Sequence, residues 1–268
     1  MGYLREMKAL GARRNRCLAS WQIHLERSQG SILKAARQCE QKHRALIVGS
    51  GLLFDIPVRE LSRLFDEVVL LDIVHLWRVH RSASQLPNVR LIQRDVTDIV
   101  ERSFMAGRKR IPVSVPQRQL NYLLDDGFDL VVSANILSQL PVLPNEYLSR
   151  RIPSLEKEQT SAFSRTLVES HLDWISSFPG VTCLIADLER LYCKEKEIVR
   201  REGSLWGVTL PGAGEQWIWD LAPRPEIDFQ LDIRHRVIGY TNFPKQAWLQ
   251  RDRLQADSAL EVQAQVEQ

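Results

Sequence analysis

The sequence predicts an α/β fold: a mostly parallel sheet buried between helices on both faces. Three observations predict it. Short apolar runs rich in Val, Ile and Leu recur through the first two thirds of the chain. Helical patterns alternate with them. The runs show no polar face, as strands covered on both sides should not.

The elements follow in order. Residues 1–42 read as helix, broken near Gly30, with Trp21, Leu25, Ile32, Leu33 and Ala36 on an apolar stripe between charges. "RALIVG" is a buried strand ending in glycine. "DIPVRELSRLF" is helical, with Asp55 placed to cap it and Pro57 suited to its first turn. "EVVLLDI", "NVRLIQRDV" and "FDLVVSANIL" supply three more strands, with helical "VHLWRVHRSASQL" after the first of them. Between the third and fourth strands, residues 101–126 carry a basic tip, Arg108-Lys109-Arg110, and two prolines, and read as an exposed insertion. A long helical pattern runs from Leu155 to Phe178, and "PGVTCLIADLER" gives a turn and a fifth strand. "EQWIWDLAP" and "RHRVIGYTNF" have no helix between them and predict an antiparallel pair at the sheet edge. Three segments result: a helical cap over 1–43, a central domain over 44–248 and a polar, Gln-rich tail over 249–268.

Composition narrows the function. The 268 residues suffice for one large domain, and a net charge of +3 makes no case for a nucleic-acid partner. Residues 1–44 hold ten Lys/Arg against three Asp/Glu, which reads as a solvated helix face. No apolar run approaches the ~20 residues of a membrane span. The N-terminus lacks the uncharged stretch of a secretory signal. Cys17, Cys39, Cys183 and Cys193 show no metal-type spacing and read as free thiols of a reducing cytoplasm.

The sharpest feature is Gly49-Ser50-Gly51. A strand that ends in Gly-x-Gly and feeds a helix offers backbone N–H groups and a positive helix end to a ligand. Asp72, followed by Ile73, ends the second strand twenty-one residues past Gly51. A carboxylate there can accept both hydroxyls of a ribose. Asp95, followed by Val96, ends the third strand, in position for the exocyclic amine of an adenine. All lie at carboxyl ends of adjacent strands, where open α/β sheets bind ligands.

In these segments the chain resembles the class I S-adenosylmethionine-dependent methyltransferases, over about residues 44–245. "ALIVGSG" matches the glycine motif, "LLDI" the ribose acid, "IQRDV" the adenine region, and "FDLVVSANILSQLP" the fourth strand and its loop. "SSFPGVTCLIAD" and the aromatic pair match the end of that fold. The resemblance implies a Rossmann-like seven-stranded sheet in the order 3-2-1-4-5-7-6. It also implies S-adenosylmethionine as cofactor, held by Gly49, Ser50, Gly51, Asp72, Ile73, Asp95 and Val96. Two positions depart from the family. Ile47 stands where it usually has an acid, and Leu53 replaces its third glycine. Asp55 is the nearest acid that could hold the methionine ammonium instead. A nicotinamide-binding enzyme would share Asp72 but wants glycine at Phe54 and further βαβ units in place of the aromatic pair. The two departures also keep a catalytically silent binding protein in view.

Methyl transfer needs a positioned acceptor, and a base only where the acceptor must lose a proton. Asn135, in the loop after the fourth strand, is a candidate to orient it. His171, on the apolar stripe of the long helix, is a candidate base or acceptor-binding residue. An acceptor pocket is expected between Asn135, Ser138 and the N-terminal helix, with His171 at its wall. A small-molecule acceptor is favoured over a nucleic acid, and no metal is expected.

Overall fold

The computed structural model describes residues 1–113, 122–195 and 197–251. Each apolar run forms a strand: Arg44–Val48 (β1), Glu67–Asp72 (β2), Val89–Gln93 (β3), Leu130–Ala134 (β4) and Val181–Lys194 (β5). Glu197–Gly203 (β6), Glu215–Ala222 (β7) and Asp232–Tyr240 (β8) follow. Strands β1 to β5 pair in parallel. β8 lies antiparallel to both β5 and β7, giving the order β3-β2-β1-β4-β5-β8-β7. That order is the expected one, with β8 in the inserted place. The count differs: the sheet has eight strands, because β5 runs on past the sheet and turns back as β6. All seven β6 residues are exposed, so no apolar signal marks this ribbon in the sequence.

The helices are Tyr3–Arg16 (α1), Leu18–Gln38 (α2), Val58–Leu64 (α3), Trp77–Ala83 (α4), Val100–Lys109 (α5), Val142–Arg151 (α6), Lys157–Ser176 (α7) and Lys245–Leu249 (α8). Alternate strand residues face opposite layers, as the pleat requires. Ala45, Ile47, Val68, Leu70 and Val132 pack with Trp21, Ile32, Ala35 and Ala36 of α2 and Leu61 of α3. Leu46, Val48, Val69, Leu71 and Val131 pack with Val168, Leu172, Trp174 and Ile175 of α7.

Three expectations are corrected here. The N-terminal helix breaks at Cys17 and not at Gly30, which lies inside α2. Trp21 explains the position: its indole N–H donates to the Leu221 carbonyl at 2.9 Å and its ring meets Trp219 edge-on at 4.9 Å. That docking ties α2 to the sheet and leaves α1, which has no buried residue, free to turn away. The expected cap over 1–43 therefore divides into a core helix and an outer one. Residues 101–126 are not wholly an exposed insertion either. α5 buries Ala106 against Leu148 and Phe163, while Arg108, Lys109 and Arg110 remain exposed. Residues 114–121 of that segment, and the tail beyond 251, lie outside the described residues. Finally, Asp55 does not cap α3, whose N-cap is Pro57.

Candidate active site

The site grows from the turn after β1. Gly49 takes φ +76°, and a Cβ there would lie 2.8 Å from Ile136 Cβ and 2.9 Å from the Ala134 carbonyl oxygen. Only glycine fits between these strand ends. Gly51, at φ +52°, has no protein atom nearer than 3.9 Å to such a Cβ, so the space beside it is open. Leu53, where the resembled motif has its third glycine, also has positive φ, +62°, and its N–H donates to the Ser50 carbonyl at 3.0 Å.

Asp72 clamps this turn from the end of β2. Its Oδ2 accepts the Gly51 N–H at 2.8 Å and its Oδ1 the Val74 N–H at 3.4 Å. Burial raises the Asp72 carboxyl above its ordinary value, against the pull of those N–H groups. Asp95 is bound up locally: Oδ1 accepts from the Thr97 N–H and hydroxyl at 2.9 and 2.6 Å, and Oδ2 from the Val100 N–H at 2.8 Å. It thereby fixes the start of α5. Burial and the Asp95 charge push the nearby Tyr3 phenol up.

One cavity of about 360 Å³ joins these groups. Gly49, Gly51, Asp72, Ile73, Asp95 and Val96 line it, as does Asn135. Ser50 does not; it is fully buried, and its hydroxyl has no partner among the described residues. Tyr3, Met7, Leu10 and Arg13 of α1 form the roof. Glu226, in the β7–β8 connection, holds the end of α1. It accepts from Arg16 through both oxygens at 2.5 and 2.8 Å and lies 3.6 Å from Arg13.

Past Asn135 the cavity reaches a chamber that sequence reasoning missed. Asn135, itself at φ +52°, donates to Asp55 Oδ2 at 2.6 Å and lies 3.4 Å from His24 Nε2. Burial raises the Asp55 carboxyl. His24 stacks on Trp219 with ring centres 3.9 Å apart, and burial holds its pKa down at about 4. The Trp217 indole N–H donates to His24 Nδ1 at 3.2 Å, so both ring nitrogens of His24 face protein groups. Asp187, midway along β5 where its pairing with β8 shifts register, lies 3.0 Å from His235 Nδ1 of β8. It also accepts the Ser138 hydroxyl at 3.1 Å. Burial works to raise the Asp187 carboxyl, yet His235, His24 and the Ser138 hydroxyl hold it below its ordinary value. Ser138 thus supports the chamber through Asp187 without lining it. A partial signal existed: Asp187 closes the apolar run of the predicted fifth strand, much as Asp72 closes that of the second, although β5 continues beyond it to Lys194.

His171 is not brought to this cavity. It is fully buried against the opposite face of the sheet, bonded through Nε2 to Ser133 at 2.9 Å. Burial drives its pKa down to about 3, so it is a neutral core histidine. The expectation that it reaches the pocket wall is corrected, because α7 covers the face away from α2. Among the described residues, no group of three or more His, Cys, Asp or Glu is arranged to hold a metal ion, and no helix is long and apolar enough to cross a membrane.

No protein-family model matches the chain, and no curated protein matches it. Solved structures do. YcgJ of Bacillus subtilis is 15% identical at TM-score 0.36, over 60% of this chain and 51% of its own, so the chain spans about half the length of that protein. The N-methyltransferase NodS of Bradyrhizobium japonicum, solved with S-adenosylhomocysteine, is 13% identical at TM-score 0.37, over 82% and 86%. A SAM-dependent methyltransferase of Leishmania major is 15% identical at TM-score 0.38, over 86% and 81%. The chain's own sheet order and two helical layers establish a Rossmann-like α/β fold.

Proposed function

We propose that the protein is a class I S-adenosylmethionine-dependent methyltransferase acting on a small molecule. One observation carries this reading. A single cavity is lined at one end by Gly49, Gly51, Asp72 and Asp95, and at the other by Asn135, Asp187 and His235. A cofactor-binding relic has no use for the second end.

The residues present suit the cofactor. Gly51 leaves room for close backbone approach, Asp72 offers carboxylate oxygens to ribose hydroxyls, and Ile73 and Val96 offer apolar surface to a base. The charge suits it as well. Glu6, Asp55, Asp72, Asp95, Glu146 and Asp187 line the cavity against only Arg13 and Arg94, in a chain of net charge +3. Asp55, fixed by Asn135, supplies the acid missing at Ile47. S-adenosylmethionine would contribute an electrophilic sulfonium methyl, and the protein's part is to place the acceptor in line with it and exclude water. The α1 roof over a cavity of this size favours a small acceptor over a polymer. Four buried free thiols support a cytoplasmic setting.

Calorimetric titration with S-adenosylmethionine, S-adenosylhomocysteine and NAD tests the reading. Binding of the first two without NAD is expected. NAD binding without either would replace it with a dinucleotide enzyme.

A further inference from the structure

The polar atoms of the chamber are unevenly satisfied. Asp187 is 1% exposed, and its Oδ2 meets Ser138 and His235 while Oδ1 has no partner among the described residues. Asn135 Oδ1 is likewise buried without a partner. Both residues line the cavity. Two oxygen acceptors, one of them anionic, therefore await N–H or O–H donors from a ligand.

We infer that the methyl acceptor is an amine, which enters as its ammonium on Asp187 Oδ1 and passes a proton to His235. The inference rests on the methyltransferase reading. An ammonium brings up to three donors and a positive charge, an alcohol one donor and no charge, and a carboxylate neither. A carboxylate would also meet Asp187 and Asp55. The indole N–H of Trp219, also without a partner, is left for an oxygen elsewhere in the same molecule.

The choice of base follows from the two histidines. His24 has the Trp217 indole N–H on Nδ1 and the Asn135 amide nitrogen on Nε2, so both its nitrogens are engaged. His235 Nδ1 lies 3.0 Å from Asp187 Oδ2, near enough for the carboxylate to hold the ring, and neither ring nitrogen makes a hydrogen bond to a described group, so Nε2 is open to a ligand. An imidazole oriented by a carboxylate, with its far nitrogen unengaged, is the arrangement of a general base. The ammonium N–H bond breaks and its proton goes to His235 Nε2. The freed nitrogen lone pair forms the N–CH3 bond as the sulfonium C–S bond breaks, and that bond's electron pair remains on sulfur as a neutral thioether. The proton then leaves His235 for solvent.

The test uses the full chain saturated with S-adenosylhomocysteine and matched probes: methylamine and benzylamine, benzyl alcohol, and benzoate. Binding is followed by NMR, including the imidazole nitrogens of His235. At least one amine should bind, at least about tenfold more tightly than the alcohol or the acid, as expected for a hydrogen bond to a charged group. The His235 Nε2 resonance should move as it does. Asp187→Asn should weaken amine binding at least about tenfold while leaving S-adenosylhomocysteine affinity within about threefold, which also reports an intact fold. Equal binding of benzyl alcohol or benzoate, amine binding that survives Asp187→Asn, or an unmoved His235 resonance overturns the inference. The probe ranking in the unaltered protein decides even if Asp187→Asn does not fold. S-adenosylhomocysteine binding with no amine binding overturns the amine assignment alone. No S-adenosylhomocysteine binding overturns the methyltransferase reading and this inference with it.

Discussion

The two halves of one sheet edge have spent their polar groups differently. At the ends of β1, β2 and β3, the carboxylates are engaged by their own loops: Asp72 by Gly51 and Val74, Asp95 by Thr97 and Val100. Just after β4 and within β5 and β8, Asn135, Asp187 and His235 retain buried atoms without partners among the described residues. In the first half the carboxylates are tied to their own loops by hydrogen bonds. The second is held less completely and depends on a ligand to satisfy it. Shape is fixed where the nucleoside would sit, and unmet hydrogen-bonding capacity remains where the acceptor would.

The largest expected effect tests the rigidity of the first half. Gly49→Ala drives a Cβ into Ile136 and the Ala134 carbonyl at a positive φ. Overpacking and left-handed strain together should cost about 3 kcal/mol. Gly51→Ala meets only the strain, about 1 kcal/mol, so its main effect should be on ligand binding. Urea unfolding of both variants checks this; equal losses would mean the turn is not packed as described. Next, Asp72→Ala should weaken S-adenosylhomocysteine binding by roughly 1.5–3 kcal/mol, whereas Asp187→Asn should leave it nearly unchanged. A calorimetric loss of the same size in both would dissolve the division between the halves.

A third prediction uses His171, which lies outside both. Its native pKa of about 3 is below its ordinary value of 6.5, so the unfolded chain takes up the proton first. The stability this contributes is complete above pH 6.5 and falls as pH drops toward 3. Between pH 6.5 and 5 the protein should lose about 2 kcal/mol relative to His171→Gln, at ~1.4 kcal/mol per pH unit. Parallel urea curves across that range would place His171 in a wetter site. His24, with a native value of about 4, acts in the same direction in both proteins. The smallest effect belongs to the roof. Glu226→Gln removes the carboxylate that grips Arg16 and Arg13, and should speed S-adenosylhomocysteine release by a factor of about three without altering the fold. Stopped-flow dissociation reads it directly.

What the sequence disclosed follows the same division. β1 to β4 are dense apolar runs, and Gly49, Gly51 and Asp72 lie at offsets that local chemistry explains, so this half was legible. The chamber was not, because Asp187 and His235 are far apart in the chain and meet only through the antiparallel pairing of β5 with β8. His171 was placed on its helix stripe but on the wrong face. The handedness of crossovers held the answer: right-handed connections put α3 and α7 on opposite sides of a sheet whose order reverses between β1 and β4. The break at Cys17 depends on Trp21 reaching Leu221 across the chain, and no local residue announces it.

Position 53 shows how spelling and pronunciation can part company in a backbone. Leu53 stands where the resembled motif has its third glycine, and it takes φ +62°, a torsion that glycine adopts without penalty. A leucine there costs roughly 1–2 kcal/mol, and the turn bears it through the Leu53 N–H on Ser50 and the Asp72 grip on Gly51. A signature that counts glycines therefore passes over a position whose torsion is nonetheless one that glycine favours. The test of such a motif is the angle it produces and not the letters it uses.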